Sequence, residues 1–315
     1  MNRRVATLIL TLTALALVAP WLAPYDPELQ HRNFLYAPPM TPRLMDEGGL
    51  RSPFVYPITL ADRMSQRYVE DRARTRPLPW FDHDSSAPIF LMGADSFGRD
   101  LLSRLLYGAR VSISLALASV VGTLAVGALV GIIAGYRGGW FDEVTMRVAD
   151  FVVVLPVIYV VLVLRAVMPL VLSAATVFLV MTAIFTLVGW PFVARGVRGI
   201  IAAERSREYV VAARSLGAGN WRIMGRHLLP SCAGHLLVQA TLLLPAFILA
   251  EATLSYIGLG FPEGVPTWGT MLSEASNLSV MSRFPWMLAP ALAIFLVVLS
   301  ANIILQSDKI DRRWI

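Results

Sequence analysis

Few residues in this chain have the type and spacing for covalent or metal chemistry, and those few are scattered. The four histidines, His31, His83, His227 and His235, form no ligand-like cluster, and the two that stand eight apart have no carboxylate close by in sequence. The single cysteine, Cys232, excludes an intramolecular disulfide framework and a cysteine-rich metal site. A phosphate-binding G-x-x-x-x-G-K-[ST] loop needs a lysine, and the only one, Lys309, sits between Asp308 and Ile310. Intramembrane proteolysis needs a nucleophile with its base, a His-Glu-x-x-His helix or paired aspartates, and Asp150 is the only aspartate deep in an apolar run. The expectation is a chain with no catalytic residues, no metal site and no cofactor of its own.

The remaining chemically notable groups are charges inside apolar stretches. An ionised side chain at the middle of a membrane helix costs about 2.5–3.5 kcal/mol, so each asks for a partner or a polar path. Arg147 and Asp150, three apart, are expected to pair, and Arg165 is placed to snorkel. Glu251 lies among small residues with Ser255 one turn on. The two are candidate translocation-pathway residues, with a helix–helix hydrogen bond as the competing role for Glu251.

The elements that hold these groups are long and apolar. Of 315 residues, 56% are hydrophobic and 15% charged, against about 25% charged in soluble domains. Runs at 5–25, 111–136, 168–194 and 285–307 carry no charged residue, and 148–168 and 236–259 carry one or two. A helix of about 20 apolar residues crosses the bilayer core, so six spans are expected in an all-α polytopic membrane protein. An uncleaved first span fits 5–25 better than a signal peptide, whose apolar core is shorter.

The net charge of +6 follows from topology and calls for no nucleic acid. Arg3 and Arg4, Arg137 and Arg147, the seven arginines from Arg195 to Arg226, and Lys309, Arg312 and Arg313 all fall on one side of a six-span chain. The positive-inside rule makes that side cytoplasmic, with both termini inside. Span two is rich in small residues (Gly122, Gly127, Ala128, Gly131, Ala134, Gly135), which favour close helix packing. Gly135–Trp140 forms a tight inner turn, and Trp268 and Trp286 are expected as interface anchors.

Five segments result: a first span at 1–25, an extracytoplasmic insert at 26–92, a core at 93–306, a cytoplasmic loop at 195–230 within it, and a tail at 307–315. Proline interrupts the insert repeatedly. Thr59–Asp62 reads as a capping box, and Leu60, Met64 and Tyr68 at helical spacing predict an amphipathic helix there. Leu101, Leu102, Leu105 and Leu106 predict an interfacial helix, with Asp100 and Arg104 spaced for an i,i+4 pair.

The cytoplasmic loop is long for a connection. Glu204–Arg226 reads as two short helices divided by Gly217-Ala218-Gly219. Ala212, Ala213 and Leu216 give one a small apolar face, and Trp221, Ile223 and Met224 give the other a bulkier one. Apolar faces rimmed by arginine indicate a docked protein.

Glu208-Tyr209-Val210-Val211-Ala212-Ala213-Arg214-Ser215-Leu216-Gly217, followed by His227-Leu228-Leu229-Pro230, resembles the EAA loop of ATP-binding-cassette importer permeases. Ala212, Ala213, Gly217, Leu229 and Pro230 match the pattern, while Val211 stands for its glutamate and His227 for a hydrophobic residue. Further motifs resemble the C-type permease of the dipeptide and oligopeptide branch. They include Gly93-x-Asp95-x-x-Gly98-Arg99-Asp100, Gly135-Tyr136-x-Gly138-Gly139, Glu251-Ala252-x-Leu254-Ser255-Tyr256 and Trp268-Gly269-Thr270-Met271-Leu272. The insert is longer than the family's, and the tail lacks its usual ending.

The resemblance implies a type I importer permease that moves di- or oligopeptides inward. Its partners would be a second, homologous permease, two ATPase subunits carrying ATP and Mg, an extracytoplasmic binding protein and the bilayer. It assigns the ATPase-coupling role to Glu208, Tyr209, Ala212, Ala213, Gly217, Trp221, Ile223, Leu229 and Pro230, with Gly217 as the turn. The other readings are nickel or another small solute as cargo, and, as a different class, an ATP-independent carrier or channel.

Overall fold

The computed structural model describes residues 17–19, 21–46, 49–63, 66–78, 88–156, 159–160, 172–262 and 264–311, with isolated positions at 7, 11, 14 and 163. The expected spans at 5–25 and 148–168 fall partly outside these residues, and Met64, His83 and Arg165 lie outside them. Four described helices are long and apolar enough to cross a membrane: Leu101–Arg137 (α1), Ala174–Glu204 (α3), Asn220–Tyr256 (α5) and the stretch Pro285–Ile303. Between them lie α2 (Gly139–Val154), α4 (Glu208–Ser215), α6 (Trp268–Ala275) and α7 (Leu278–Arg283). The last helix, α8, runs Ala289–Asp311 after a 3-10 turn at Pro285–Leu288.

The chain divides into two compact units. The first gathers Met1–Thr11, Ser114–Leu254 and Leu296–Ile315. Its core is set by the glycines of α1, where a Cβ at Gly122 would lie 2.5 Å from Thr186 Oγ1 and one at Gly131 2.6 Å from the Ala194 carbonyl. At Gly127 and Gly135 the obstacles are Val193 and the Arg198 carbonyl, again on α3. The small residues thus let α1 and α3 approach to backbone contact, as the composition of this run predicts. Phe185 stacks on Phe247 at 5.2 Å, which ties α5 to α3.

Helix α2 follows α1 after a single break at Gly138, whose φ of 67° suits glycine. Asp150 pairs with Arg195 on α3 at 2.9 Å rather than with Arg147, because α3 packs alongside and offers its guanidinium from outside the helix. Asp142 takes Arg198 in a two-pronged bond, with Nε 2.9 and 3.1 Å from the carboxylate oxygens. That guanidinium holds the Asp142 carboxyl below the ordinary carboxylate range.

The second unit comprises Leu12–Ile113 and Ser255–Phe295. The insert is β-structure: a three-stranded antiparallel sheet in the order β1-β2-β5 (Arg43–Asp46, Gly49–Val55, Arg76–Pro77) and a hairpin, β3 (Ile58–Asp62) with β4 (Arg67–Glu70). The amphipathic helix expected around Thr59–Tyr68 does not form. Leu60 and Tyr68 are cross-strand partners, so their spacing serves a two-residue period, with Ile58 buried in the core and Tyr68 packed against it. Phe34 stacks on Tyr68, and the Tyr68 hydroxyl donates to the Leu35 carbonyl at 2.8 Å. Trp268 is 2% exposed, its indole N–H donating to the Leu105 carbonyl at 3.2 Å, and Trp286 donates to Ala94. Both pack within this unit, Trp268 enclosed and Trp286 half-buried.

Candidate functional site

The expected coupling loop is built as a seated platform with an apolar crest. Ile132 of α1, Val193, Val197 and Ile201 of α3, Val210 of α4, and Ile223, Met224, Leu228 and Cys232 of α5 form one buried cluster. Val210, Ile223 and Leu228 are fully buried. Two of the three bulky residues expected to face a partner, Ile223 and Met224, therefore anchor the loop from below. A π-helical turn at Ile223–Leu228 and a 3-10 turn at Leu229–Cys232 place Pro230 where a regular helix would lose a backbone bond.

What remains outside is Leu216 at 88% exposure and Trp221 at 70%, with Tyr209, Val211 and Ala212 also open. Glu208 sits in the first turn of α4, exposed, and Leu229 and Pro230 are exposed behind the crest. Ala213 is half-buried. The crest turns at Gly217, where φ is 80° and no atom lies within 4 Å of the place a Cβ would take. Glycine is required there by backbone conformation, not by crowding. The N–H groups of Gly217 and Ala218 donate to Arg214 and Ala213 carbonyls at 3.0 Å, ending α4.

Four side chains outside the assigned coupling set brace it. The Tyr136 hydroxyl accepts from Arg214 Nη2 at 3.0 Å and donates to Asn220 Oδ1 at 2.9 Å, joining both arms of the crest to the end of α1. Arg205 donates to the Gly135 carbonyl at 3.3 Å. Tyr136 belongs to the Gly135-Tyr136-x-Gly138-Gly139 motif, which was the signal available for it.

The second motif group converges within the other unit. Glu274 of α6 receives Arg104 in a fork, Nη1 to Oε2 at 2.7 Å and Nη2 to Oε1 at 2.8 Å, and takes Arg99 Nη2 at 3.0 Å. Asp95 accepts from Arg99 Nε at 2.7 Å and also from Arg104. Asp95, Arg99 and Arg104 are all buried. Asp100 does not pair with Arg104, since its Oδ2 caps α1 by accepting from the Ser103 amide at 2.7 Å and hydroxyl at 2.6 Å. Burial pushes the Asp100 carboxyl up to about 6. Gly98 leaves no room for a side chain, because a Cβ there would lie 2.1 Å from the His31 carbonyl, and Gly93 has φ 86° against Trp286. Glu274 escaped sequence reasoning because its partners are 170 and 175 residues away.

The two candidate pathway residues are enclosed: Glu251 is 0% exposed and Ser255 3%. Among the described residues no group of three or more His, Cys, Asp or Glu side chains is arranged to hold a metal ion.

With this geometry in view, the family is decided by comparison. Residues 127–313 match the model of the binding-protein-dependent transport system inner membrane component, and the chain belongs to that family. A di/tripeptide transport system permease protein DppC of Pseudomonas aeruginosa is 36% identical over 91% of this chain and 79% of its own length. An oligopeptide transport system permease protein OppC of Bacillus subtilis is 38% identical over 67% of each chain. Among solved structures, the inward-facing MetNI methionine ABC transporter contains a chain that aligns with a TM-score of 0.47 and 17% identity, covering 64% of this chain and 95% of that one.

Proposed function

We propose that this chain is one permease subunit of an ATP-driven importer that carries di- or oligopeptides into the cell, with Leu216 and Trp221 as its docking crest for a separate ATPase. The observation that carries the reading is the division of labour in the loop: Val210, Ile223, Met224 and Leu228 bury to fix it, while Leu216 and Trp221 stay in the open. An apolar crest held rigidly from beneath is suited to receive force from a partner.

In this reading six spans cross the inner membrane with both termini cytoplasmic, and the insert faces outward. A second, homologous permease completes the pathway, two ATPase subunits bind ATP and Mg, and an extracytoplasmic binding protein delivers the peptide. Closure of the ATPase pair displaces the two crests and shifts the bundle between outward- and inward-open states. The peptide permeases among its relatives support the cargo class. Purification from native membranes in mild detergent tests the assembly. A second permease and a P-loop ATPase in stoichiometric amounts are expected, and recovery of this chain alone from preparations where known complexes stay intact would overturn the reading.

A further inference from the structure

A groove of about 520 Å³ runs through the insert between the segment at 32–35 and the β3–β4 hairpin. Its polar lining is Arg32, Asn33, Thr59, Arg63 and Gln66, with no carboxylate among the lining residues. Three other arginines of the insert are paired: Arg43 and Arg72 meet Glu70 at 3.3 and 3.6 Å, and Arg74 meets Asp71 at 3.8 Å. Arg32 and Arg63 have no such partner among the described residues, yet both open onto this one groove.

The groove is also where the backbone is held out of its preferred regions. Among the described residues only Tyr36 and Gln66 combine a side chain with positive φ, each at 52°; Gln66 lines the groove and Tyr36 follows the lining residue Leu35. Such conformations cost of order 1–3 kcal/mol and persist where a site requires them. The walls are fixed to one another by the Phe34–Tyr68 stack and the Tyr68–Leu35 hydrogen bond. The Gln66 side-chain amide donates to the Arg63 carbonyl at 3.1 Å, which braces the hairpin turn beside the groove.

We propose that this groove receives an extended acidic segment on the surface of the extracytoplasmic binding protein. Arg32 and Arg63 take its carboxylates, and the amide of Asn33 meets its backbone. Guanidinium forks suit carboxylates, and unpaired exposed charges act chiefly by steering encounter. The inference rests on the importer reading, which supplies the binding protein and the outward face.

The test uses the whole transporter in phosphatidylcholine nanodiscs, titrated with its own purified binding protein at low and high salt. The R32E/R63E variant, both sites exposed, is expected to assemble and keep its basal ATPase rate. Its association with the binding protein should slow by about tenfold or more and lose most of its salt dependence. A hexaglutamate peptide should compete with the binding protein for the unaltered complex, and hexaglutamine should not. Equal association rates and salt slopes for both complexes would overturn the groove proposal and leave the importer reading intact. An effect of the variant confined to discs containing anionic lipid would overturn it in favour of a lipid surface. Failure of the unaltered complex to bind the binding protein would remove the importer reading together with the groove.

Discussion

The hydroxyl of Tyr136 stands 2.9 Å from Oδ1 of Asn220, 84 residues further along the chain, and 3.0 Å from the guanidinium of Arg214. One side chain at the end of α1 therefore holds both arms of the exposed crest, and in the proposed coupling role a push on Leu216 or Trp221 would pass into α1 through it. Tyr136→Phe removes both bonds and keeps the ring under Arg214. Net bonds of this kind contribute about 0.5–1.5 kcal/mol each, so the protein should still fold and insert. ATPase stimulation by the binding protein should fall several-fold while basal hydrolysis is kept, and unchanged stimulation would show that Tyr136 carries no force.

Gly217 separates conformation from volume. Gly217→Ala finds empty space and meets only the left-handed backbone penalty of about 1–2 kcal/mol, which should lower uptake partially. Gly217→Pro fixes φ near −65° against the observed 80° and removes the N–H that donates to Arg214. Membrane insertion should survive and peptide uptake should vanish. Normal uptake by the proline variant would remove the turn from the coupling account.

Glu274 compensates two buried guanidiniums at once. Glu274→Ala leaves Arg104, 1% exposed, with a lost partner. Breaking a buried pair from one side costs about 3–5 kcal/mol. Thermal unfolding in detergent should shift down by several degrees, with Glu274→Gln intermediate because the amide still accepts. An unshifted transition for the alanine variant would show that the cluster does not hold α6 in place.

Asp100 gives the second unit a pH dependence of defined sign. Its folded-state value is raised from 3.8 to about 6, chiefly by burial, so the fold favours the protonated acid. The corresponding stability is fully present below 3.8 and is lost as pH rises through 6. Asp100→Asn should flatten this part of the stability–pH curve and keep the helix cap. A variant curve parallel to the original would place the titrating group elsewhere.

The pattern of residues disclosed α1 and α3 well, because a stripe of glycines has one physical use between apolar helices. It disclosed the helix–turn–helix outline of the loop at 204–226 for a similar reason, since the spacing from Ala212 to Pro230 reflects local turns. It misassigned Ile223 and Met224, whose burial depends on α3 lying beneath them. The β3–β4 hairpin was hidden because the eight-residue interval from Leu60 to Tyr68 suits two helical turns and an antiparallel pairing alike. Trp268 carries the composition of an interface anchor but is enclosed by partners distant in the chain. Arg104 chose Glu274 over the nearer Asp100 because α6 brings a two-oxygen acceptor squarely onto its fork, while one oxygen of Asp100 is held by Ser103.

The most direct measurement is site-specific photo-crosslinking from the crest in native membranes. A crosslinker at Leu216 or at Trp221 should capture a P-loop ATPase, with the yield changing on ATP binding. The same group at Leu129, an exposed apolar position on α1, should capture none. Adducts at Leu216 and Trp221 that contain only lipid, in membranes where the ATPase copurifies with this chain, would contradict the central claim.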